Sequence, residues 1–349
     1  MAMQKHMMEV KKINYYLQYI IMNNLKNLAL LSLIGGRNKS KPKNRSIEFD
    51  YFFYHANCRD GTCSLWCAYY YNDNDFIKVS LPAGTDPDFN KYNFKNKKII
   101  FADVCPSIYF LLKLSKIANH VTVIDHHDTN LTKYNKIKTN SPSNLEMIFD
   151  MDKSACMMTW DYFFNKKERP WFIDRIGDRD LFKNKIKKNE EFIRAIDYME
   201  ILNPDNLKEI DKLSSYNDKQ KKDMFELGEN VNMVVRKIIE KEASYSLEAT
   251  FKVDNIKYNV WVGNIKSDLI SDLGNYLAHK KFSNGKNPDF VILWNYRPKS
   301  NAWNISLRGN KNSPKLSTIA EKFGGGGHPL AAAFRLTNGK NLQSIGIVF

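Results

Sequence analysis

The chain has 349 residues, of which 43% are hydrophobic and 26% are charged. This composition excludes a largely disordered, collagen-like or multi-span membrane protein, and the length predicts two or three domains. The formal net charge is +15, but Arg occupies only 11 of the 53 basic positions and Lys the remaining 42. Because Arg is the residue that favours bidentate phosphate contacts, the charge alone is weak evidence for a nucleic-acid partner.

The N-terminal residues and the cysteines indicate the cellular compartment in which we expect the protein. Residues 13–34 are apolar but interrupted by Asn and Lys, which argues against a membrane-spanning helix and against a signal peptide. The five cysteines form no CxxC pair, which predicts a reducing compartment without disulfides. We expect residues 1–47 to be a basic extension of a cytoplasmic protein with no membrane partner. An organelle-targeting peptide is the alternative.

Short apolar runs then alternate with helical stretches. We predict strands at 50–55, 76–81, 98–103 and 121–125, and helices at 62–71, 107–118 and 154–165. Strands that alternate with helices are typical of a doubly wound parallel sheet. The sequence therefore predicts an α/β domain over 48–204.

A long polar stretch follows and predicts a helical linker over 205–248. Beyond it we predict strands at 257–263, 289–296 and 303–308, and helices around 268–281 and 316–323. These elements predict a smaller C-terminal α/β domain over 249–349, with a cleft between the two domains.

Three of the predicted strands in the first domain end in residues that bind metal ions. His55 ends the first, Asp103 ends the third, and Asp125 ends the fourth and is followed by His126 and His127. Asp-Gly after His55 is an ordinary turn signal, and an Asp after a strand commonly caps a helix. Three such strand ends together favour a shared site, because ligands of parallel sheets bind beyond the carboxyl ends of the strands. A mixed His and carboxylate set suits Mn²⁺.

Near the C-terminus stands FGGGGHPLAAAF (323–334). Four glycines allow positive φ and a close approach to a phosphate, whereas a flexible linker is the ordinary use of such a run. The His-Pro and alanine run directly after it argues against a linker. Arg308, in the segment SLRG, is a candidate anion clamp.

These motifs resemble a known family. VIDHH (123–127) resembles the signature of the DHH phosphoesterases, and FGGGGHPLAAAF resembles the hallmark of their DHH-associated C-terminal domain. The resemblance covers about residues 50–349 and is closest to the nanoRNase or oligoribonuclease-like members. It implies a two-metal site, usually with Mn²⁺ and alternatively with Mg²⁺ or another divalent ion. It also implies hydrolysis of phosphodiester bonds in short oligonucleotides or linear or cyclic dinucleotides. Short single-stranded RNA or DNA is the expected partner, and a homodimer is compatible with it.

Matched by position, the resemblance also implies roles for individual residues. The metal ligands would be His55, Cys58, Asp60, Asp103, His126 and Asp178. The catalytic residues would be Asp103, Asp125 and His127, with His127 facing the scissile phosphate. The residues that bind the terminal phosphate or base would be Arg308, Gly324, Gly325, Gly326, Gly327 and His328.

Two positions stay open. The family usually has Asp where this chain has Cys58, and a thiolate is a less natural ligand for Mn²⁺. Asp180 competes with Asp178 for the last metal ligand.

Two alternative functions remain: hydrolysis of a small phosphoanhydride such as pyrophosphate, and nucleic-acid binding by a catalytically weakened homologue.

Overall fold

The computed structural model describes residues 47–72, 75–138, 141–165, 167–337, 340 and 342–348. Residues 1–46 of the predicted N-terminal extension lie outside the described residues. Within the described part of the chain, every helix is too short or too polar to span a lipid bilayer. All five cysteines are free thiols.

A five-stranded parallel sheet forms the first half of the fold. Its strands are β1 (Tyr51–His55), β2 (Ile77–Leu81), β3 (Lys98–Ala102), β4 (His120–Asp125) and β5 (Leu145–Phe149). They lie in the order β2-β1-β3-β4-β5, and all the pairings are parallel. The strand order reverses next to β1, which is where sheets of this type bind ligands. The predicted doubly wound parallel sheet is confirmed.

Helices cover both faces of this sheet. They are α1 (Arg59–Asn72), α2 (Ile108–Ser115), α3 (Asp128–Lys138), α4 (Ala155–Phe164) and α5 (Trp171–Asp180). Phe52 and Phe53 are adjacent in β1 and both fully buried, because consecutive side chains of a strand point to opposite faces. Phe52 belongs to the same core cluster as Trp66 of α1, whereas Phe53 stacks on Phe101 of β3 at 4.7 Å between ring centroids. Burial on both faces explains why these strands are continuous apolar runs.

Three further helices lead from the first sheet to the second. They are α6 (Asn189–Tyr198), α7 (Leu207–Ser214) and the 27-residue α8 (Asp218–Ser244). A capping box formed by Asn217 and Gln220 starts α8, and it satisfies amide groups that a helix N-terminus leaves unpaired. The domain limits at 204 and 248 remain predictions.

A seven-stranded mixed sheet forms the second half. Its strands are β6 (Leu247–Val253), β7 (Ile256–Asn264), β8 (Phe290–Arg297), β9 (Ala302–Arg308), β10 (Gly326–His328), β11 (Ala331–Leu336) and β12 (Ile347–Val348). Their order is β10-β11-β9-β8-β7-β6-β12, with β7 and β8 parallel and the other pairs antiparallel. The α-helices α9 (Ile270–His279) and α10 (Leu316–Glu321) accompany this sheet, with 3₁₀ turns at Ser267–Leu269, Pro298–Ser300 and Gln343–Ile345. The predicted second α/β unit is thus present.

Candidate active site

Three neighbouring strands bring His and Asp side chains to one edge of the parallel sheet. His55 ends β1, Asp103 directly follows β3, and Asp125 ends β4 and is followed by His126. The Nδ1 atom of His55 lies 3.4 Å from Oδ2 of Asp103, and Nε2 of His126 lies 3.3 Å from Oδ1 of Asp103. Asp103 therefore occupies the centre of the cluster, between imidazoles from two other strands.

Two further carboxylates reach the same imidazole from helices. The Nε2 atom of His126 lies 3.2 Å from Oδ2 of Asp180 and 3.6 Å from Oδ2 of Asp60. Asp180 ends α5, and Asp60 lies in the first turn of α1. Within each of three sets, the donor atoms lie no more than 4.8 Å from one another. The sets are His55, Asp103 and His127; Asp60, His126 and Asp180; and His126, His127 and His328.

Several of these donor atoms are buried and have no hydrogen-bond partner among the described residues. They are Nδ1 of His55, both carboxylate oxygens of Asp103, both ring nitrogens of His126 and Oδ2 of Asp180. A buried polar atom without a partner is costly, and buried charges are normally paired or bound to a metal ion. The atoms face one another at 3.2–3.4 Å without hydrogen-bond geometry. A shared cation would satisfy them, so these residues fit a divalent metal ion.

The close packing of acids and imidazoles shifts their pKa values. Burial and the charge of Asp60 raise the pKa of Asp180 to about 7. Burial alone would lower the pKa of His126, but Asp103, Asp180 and Asp60 outweigh it and raise that pKa to about 10. Burial alone would raise the pKa of Asp103, but His126 and His55 hold it well below its usual range. In the absence of metal the cluster therefore holds protons that a bound cation would displace.

The Asp60-Gly61 pair lies within a helix and does not form a turn. Both oxygens of Asp60 accept hydrogen bonds from the first amides of α4, at 2.6 Å from Ala155 and 2.9 Å from Cys156. A Cβ on Gly61 would lie 2.5 Å from the carbonyl oxygen of His55. Glycine therefore allows α1 to pack directly against the end of β1 and holds Asp60 beside His126.

Asp103 adopts an unfavourable backbone conformation. Its φ is +63°, in the left-handed region, where a residue other than glycine typically costs of order 1 kcal/mol. Its amide donates to the carbonyl of Ile124 in β4 at 2.9 Å, which ties the turn to the neighbouring strand. The strained backbone is thus maintained at the centre of the candidate site.

Asp125 orients His127. The Oδ1 atom of Asp125 lies 2.8 Å from Nδ1 of His127 and also accepts the amide of His126 at 2.8 Å. Oδ2 accepts the side-chain amide of Asn130 at 2.5 Å. Burial alone would raise the pKa of Asp125, but His127 outweighs it and lowers that pKa. The ionised carboxylate accepts the proton on Nδ1, and this tautomer leaves Nε2 of His127 available to a substrate.

The second half of the chain completes the cluster with His328. Its ring lies 4.8 Å from the ring of His127 and 5.2 Å from that of His126, measured between centroids. Burial and the charges of His127 and His126 lower the pKa of His328 to about 3. His328 is therefore neutral at physiological pH.

The glycine run is a tight hairpin in the second sheet, not a linker. Gly326 and Gly327 form β10 with His328 and pair with Ala331–Ala333 of β11. Gly324 and Gly327 have φ values of +76° and +140°, which favour glycine. A Cβ on Gly325 would lie 2.1 Å from the carbonyl oxygen of Ala333, and one on Gly326 would lie 3.2 Å from Thr129 of the first domain. The glycines thus allow His328 to approach the first domain.

The structure brings Asp180, and not Asp178, into the cluster. The carboxylate of Asp178 accepts hydrogen bonds from the amides of Lys185 and Ile186 and from the side chain of Asn189. Those contacts shape the loop after α5. Two residues in a helix are about 200° apart around its axis, so only one of the two acids can face the imidazoles.

Cys58 lies in the turn between β1 and α1 and belongs to none of the three donor sets found in the described residues. Burial and the carboxylates of Asp103, Asp180 and Asp60 raise the pKa of its thiol well above the usual value. Since the thiolate is the form that binds metal, the metal-free site keeps Cys58 protonated. Its role as a ligand remains a prediction.

Arg308 lines a cavity of about 400 Å³ between the two halves of the chain. The glycine run and His328 do not line this cavity. Two other lining residues, Arg179 and Phe182, were not predicted as site residues from the sequence. The segment GDRDLF contains both residues beside Asp180, and this proximity could have indicated them as site residues.

The fold and the site define a two-domain α/β protein with a His and Asp centre where the domains meet. The chain belongs to the same family as an uncharacterized protein of Acanthamoeba polyphaga mimivirus. The two are 30% identical over 307 residues, which are 83% of this chain and 69% of that protein. No protein-family model matches the chain.

Comparison with solved structures gives distant likenesses. An exopolyphosphatase-related protein from Bacteroides fragilis is 13% identical, covers 85% of this chain and 88% of its own, and has a TM-score of 0.43. A pGpG-specific phosphodiesterase from Vibrio cholerae is 13% identical, covers 82% of this chain and 94% of its own, and has a TM-score of 0.37. At these values the likenesses carry no conclusion about activity.

Proposed function

We propose that the protein is a metal-dependent phosphodiesterase of the DHH type, which hydrolyses short oligonucleotides or linear or cyclic dinucleotides. The observation that carries the proposal is the set of buried, unpaired carboxylate and imidazole atoms around Asp103. His55, Asp103 and His126 lie at the carboxyl ends of parallel strands, Asp180 reaches them from α5, and His328 of the second domain faces them. The VIDHH and glycine-run motifs add support from the sequence.

The ligands of the proposed metal centre are His55, Asp60, Asp103, His126 and Asp180. Asp103 would be the central ligand, because its two oxygens face His55 and His126 separately. Mn²⁺ is the expected ion, since it accepts both imidazole and carboxylate. When bound, divalent ions would lower the pKa of a water and polarise the phosphoryl oxygens.

The chain's own groups bind and orient the phosphate. Burial alone would lower the pKa of His127, but Asp125 outweighs it and raises that pKa. The protonated ring donates from Nδ1 to Asp125 and from Nε2 to a phosphoryl oxygen, and a positioned donor of this kind stabilises developing charge. His328 stacks on His127 and excludes water from that side of the ring. The glycines of β10 allow its backbone to approach Thr129 of the first domain. The approach of the second domain would limit the length of the substrate.

The test is a substrate panel assayed with Mn²⁺: dinucleotides, cyclic dinucleotides, longer single strands, nucleoside bisphosphates and pyrophosphate. We expect release of mononucleotides from dinucleotides by the wild type. Asp103→Asn should reduce it about 10²–10³-fold, in line with the size of electrostatic contributions. Asp205→Asn, at a side chain that is 88% exposed, is the matched control and should retain full activity.

The panel also separates the alternatives. Turnover of pyrophosphate alone would replace the proposal by a phosphoanhydride hydrolase. No turnover of any substrate, together with no tightly bound metal in the purified protein, would indicate a nucleic-acid-binding homologue.

A further inference from the structure

The cavity between the domains has an unusual charge. Fourteen residues line it, including Arg179, Arg308 and Lys311, and none of them is acidic. The guanidinium of Arg179 forms no hydrogen bond or ion pair with the described residues, and Asp272 and Glu190 act on its charge only at longer range. By contrast, Arg59 and Arg194 are paired with Asp197 and Asp272. Since the chain has few arginines, two of them on one cavity without a carboxylate partner indicate a site for an anion.

Arg308 is built into this cavity. Its Nε atom is buried without a hydrogen-bond partner among the described residues. Its Nη1 donates to the carbonyl of Leu307 at 2.9 Å, and its Nη2 contacts Oγ of Ser271 at 3.5 Å. A Cβ on Gly274 of α9 would lie 2.4 Å from Cγ of Arg308. Glycine at this helical position therefore makes room for the arginine side chain, at a cost in helix propensity.

An aromatic ring lies on the same cavity. Phe182 is 40% exposed, and its φ of +53° places it in the left-handed region. A half-exposed phenylalanine beside cations is not explained by packing in the core. It offers a flat face on which a nucleobase can stack.

Amide side chains supply the remaining polar lining. Asn275, Asn287 and Asn312 line the cavity and make no side-chain hydrogen bond with the described residues. Amides both donate and accept hydrogen bonds, as the edges of nucleobases require. The volume of about 400 Å³ also lies in the range of small-molecule sites.

The cavity adjoins the candidate metal centre. Arg179 lines the cavity and is followed in the chain by Asp180 of the cluster. On the other side, Leu330 lines the cavity only two residues after His328. Because residues adjacent or nearly adjacent in the chain line the cavity and the cluster, the two are neighbours in the structure.

We propose that this cavity is a nucleotide subsite, in which Phe182 stacks on the base and Arg179 together with Arg308 binds a phosphate other than the scissile one. The inference rests on the proposed function and names its substrate class: an oligonucleotide or dinucleotide with a second phosphate on the nucleotide next to the cleaved bond. Arg179 and Phe182 are then specificity residues, contributed by the first domain.

The first experiment measures binding without catalysis. AMP, adenosine and inorganic phosphate are titrated by calorimetry into the full-length protein in EDTA. We expect AMP to bind more tightly than either fragment. Phe182→Ala should weaken AMP about tenfold, the usual size of one stacked base, whereas Phe182→Tyr should retain the affinity. Arg179→Ala should weaken AMP but leave adenosine unchanged.

Matched controls lie on other surfaces. Tyr245 is 66% exposed at the end of α8, and Arg335 is exposed on β11. Tyr245→Ala and Arg335→Ala should bind AMP as the wild type does. Equal AMP affinity in Phe182→Ala and the wild type, or no binding by the wild type, would overturn the inference.

Hydrolysis assays with Mn²⁺ keep the two proposals apart. If AMP binds as expected but no phosphodiester is cleaved, the proposed function fails and the subsite stands. If the wild type cleaves dinucleotides and Phe182→Ala has an unchanged KM for them, the subsite fails and the proposed function stands.

Discussion

Gly61→Ala tests whether the packing of α1 on β1 sets the geometry of the site. The new Cβ would lie 2.5 Å from the carbonyl oxygen and 2.9 Å from the amide nitrogen of His55. Both are backbone atoms, so no side-chain rotation can relieve the contact. The first turn of α1 and the end of β1 must separate by nearly an ångström to restore ordinary van der Waals contact.

The expected loss of stability is small. Overpacking costs about 1–3 kcal/mol, and Ala in place of Gly within a helix returns about 1 kcal/mol. The net destabilisation should be about 0–2 kcal/mol. The same displacement moves His55 and Asp60 apart, and a misplacement of about 1 Å in a catalytic site can cost about 10²-fold in rate. Activity should therefore fall far more than stability.

The assay combines urea unfolding with Mn²⁺-dependent hydrolysis of a dinucleotide. Gly263→Ala is the control, because its Cβ would lie 2.8 Å from Oγ of Ser246 in the second sheet, away from the His and Asp cluster. We expect a loss of kcat/KM only in Gly61→Ala, whatever the loss of stability in Gly263→Ala. If both variants keep kcat/KM within twofold of the wild type, the reasoning is refuted.

Three further predictions concern the candidate metal centre. Asp180→Asn should weaken Mn²⁺ binding at least tenfold by calorimetry. Asp178→Asn should chiefly lower the free energy of unfolding, by about 1–3 kcal/mol, because it weakens three hydrogen bonds, one buried and two partly buried. Mn²⁺ affinity should increase as pH rises through about 7, because the ion binds the deprotonated Asp180 carboxylate; a flat profile would contradict this. Mn²⁺ at 100 times its Kd should raise the free energy of unfolding by about 2.7 kcal/mol relative to EDTA; no shift would argue against a metal site in the folded state.

The residues at the ends of strands could be placed from the sequence, because parallel strands present their carboxyl ends at one edge. That argument needs only the strand limits and tolerates errors of one or two residues. It brings His55, Asp103 and His126 together without knowledge of the packing. The apolar runs of β1, β3 and β4 were long enough to give those limits.

The residues on helices and turns could not be placed in the same way. Asp178 and Asp180 differ by half a turn of α5, and the packing of that helix, not its sequence pattern, decides which acid faces His126. Gly61 has the appearance of a turn residue, but its function depends on the distance between α1 and β1. The short strand β10 could not be predicted either, since three residues that include two glycines show no hydrophobic periodicity.

The stacking of His328 on His127 places one side of the reaction centre on each domain. If the protein is the hydrolase proposed above, a linear substrate would enter while the two rings are apart, and its products would leave when they part again. Opening of the cleft, and not bond cleavage, would then be the step expected to limit turnover. A more viscous solvent would then slow the hydrolysis of dinucleotides. Domain motion is slowed by solvent viscosity, whereas a proton transfer inside the site is not.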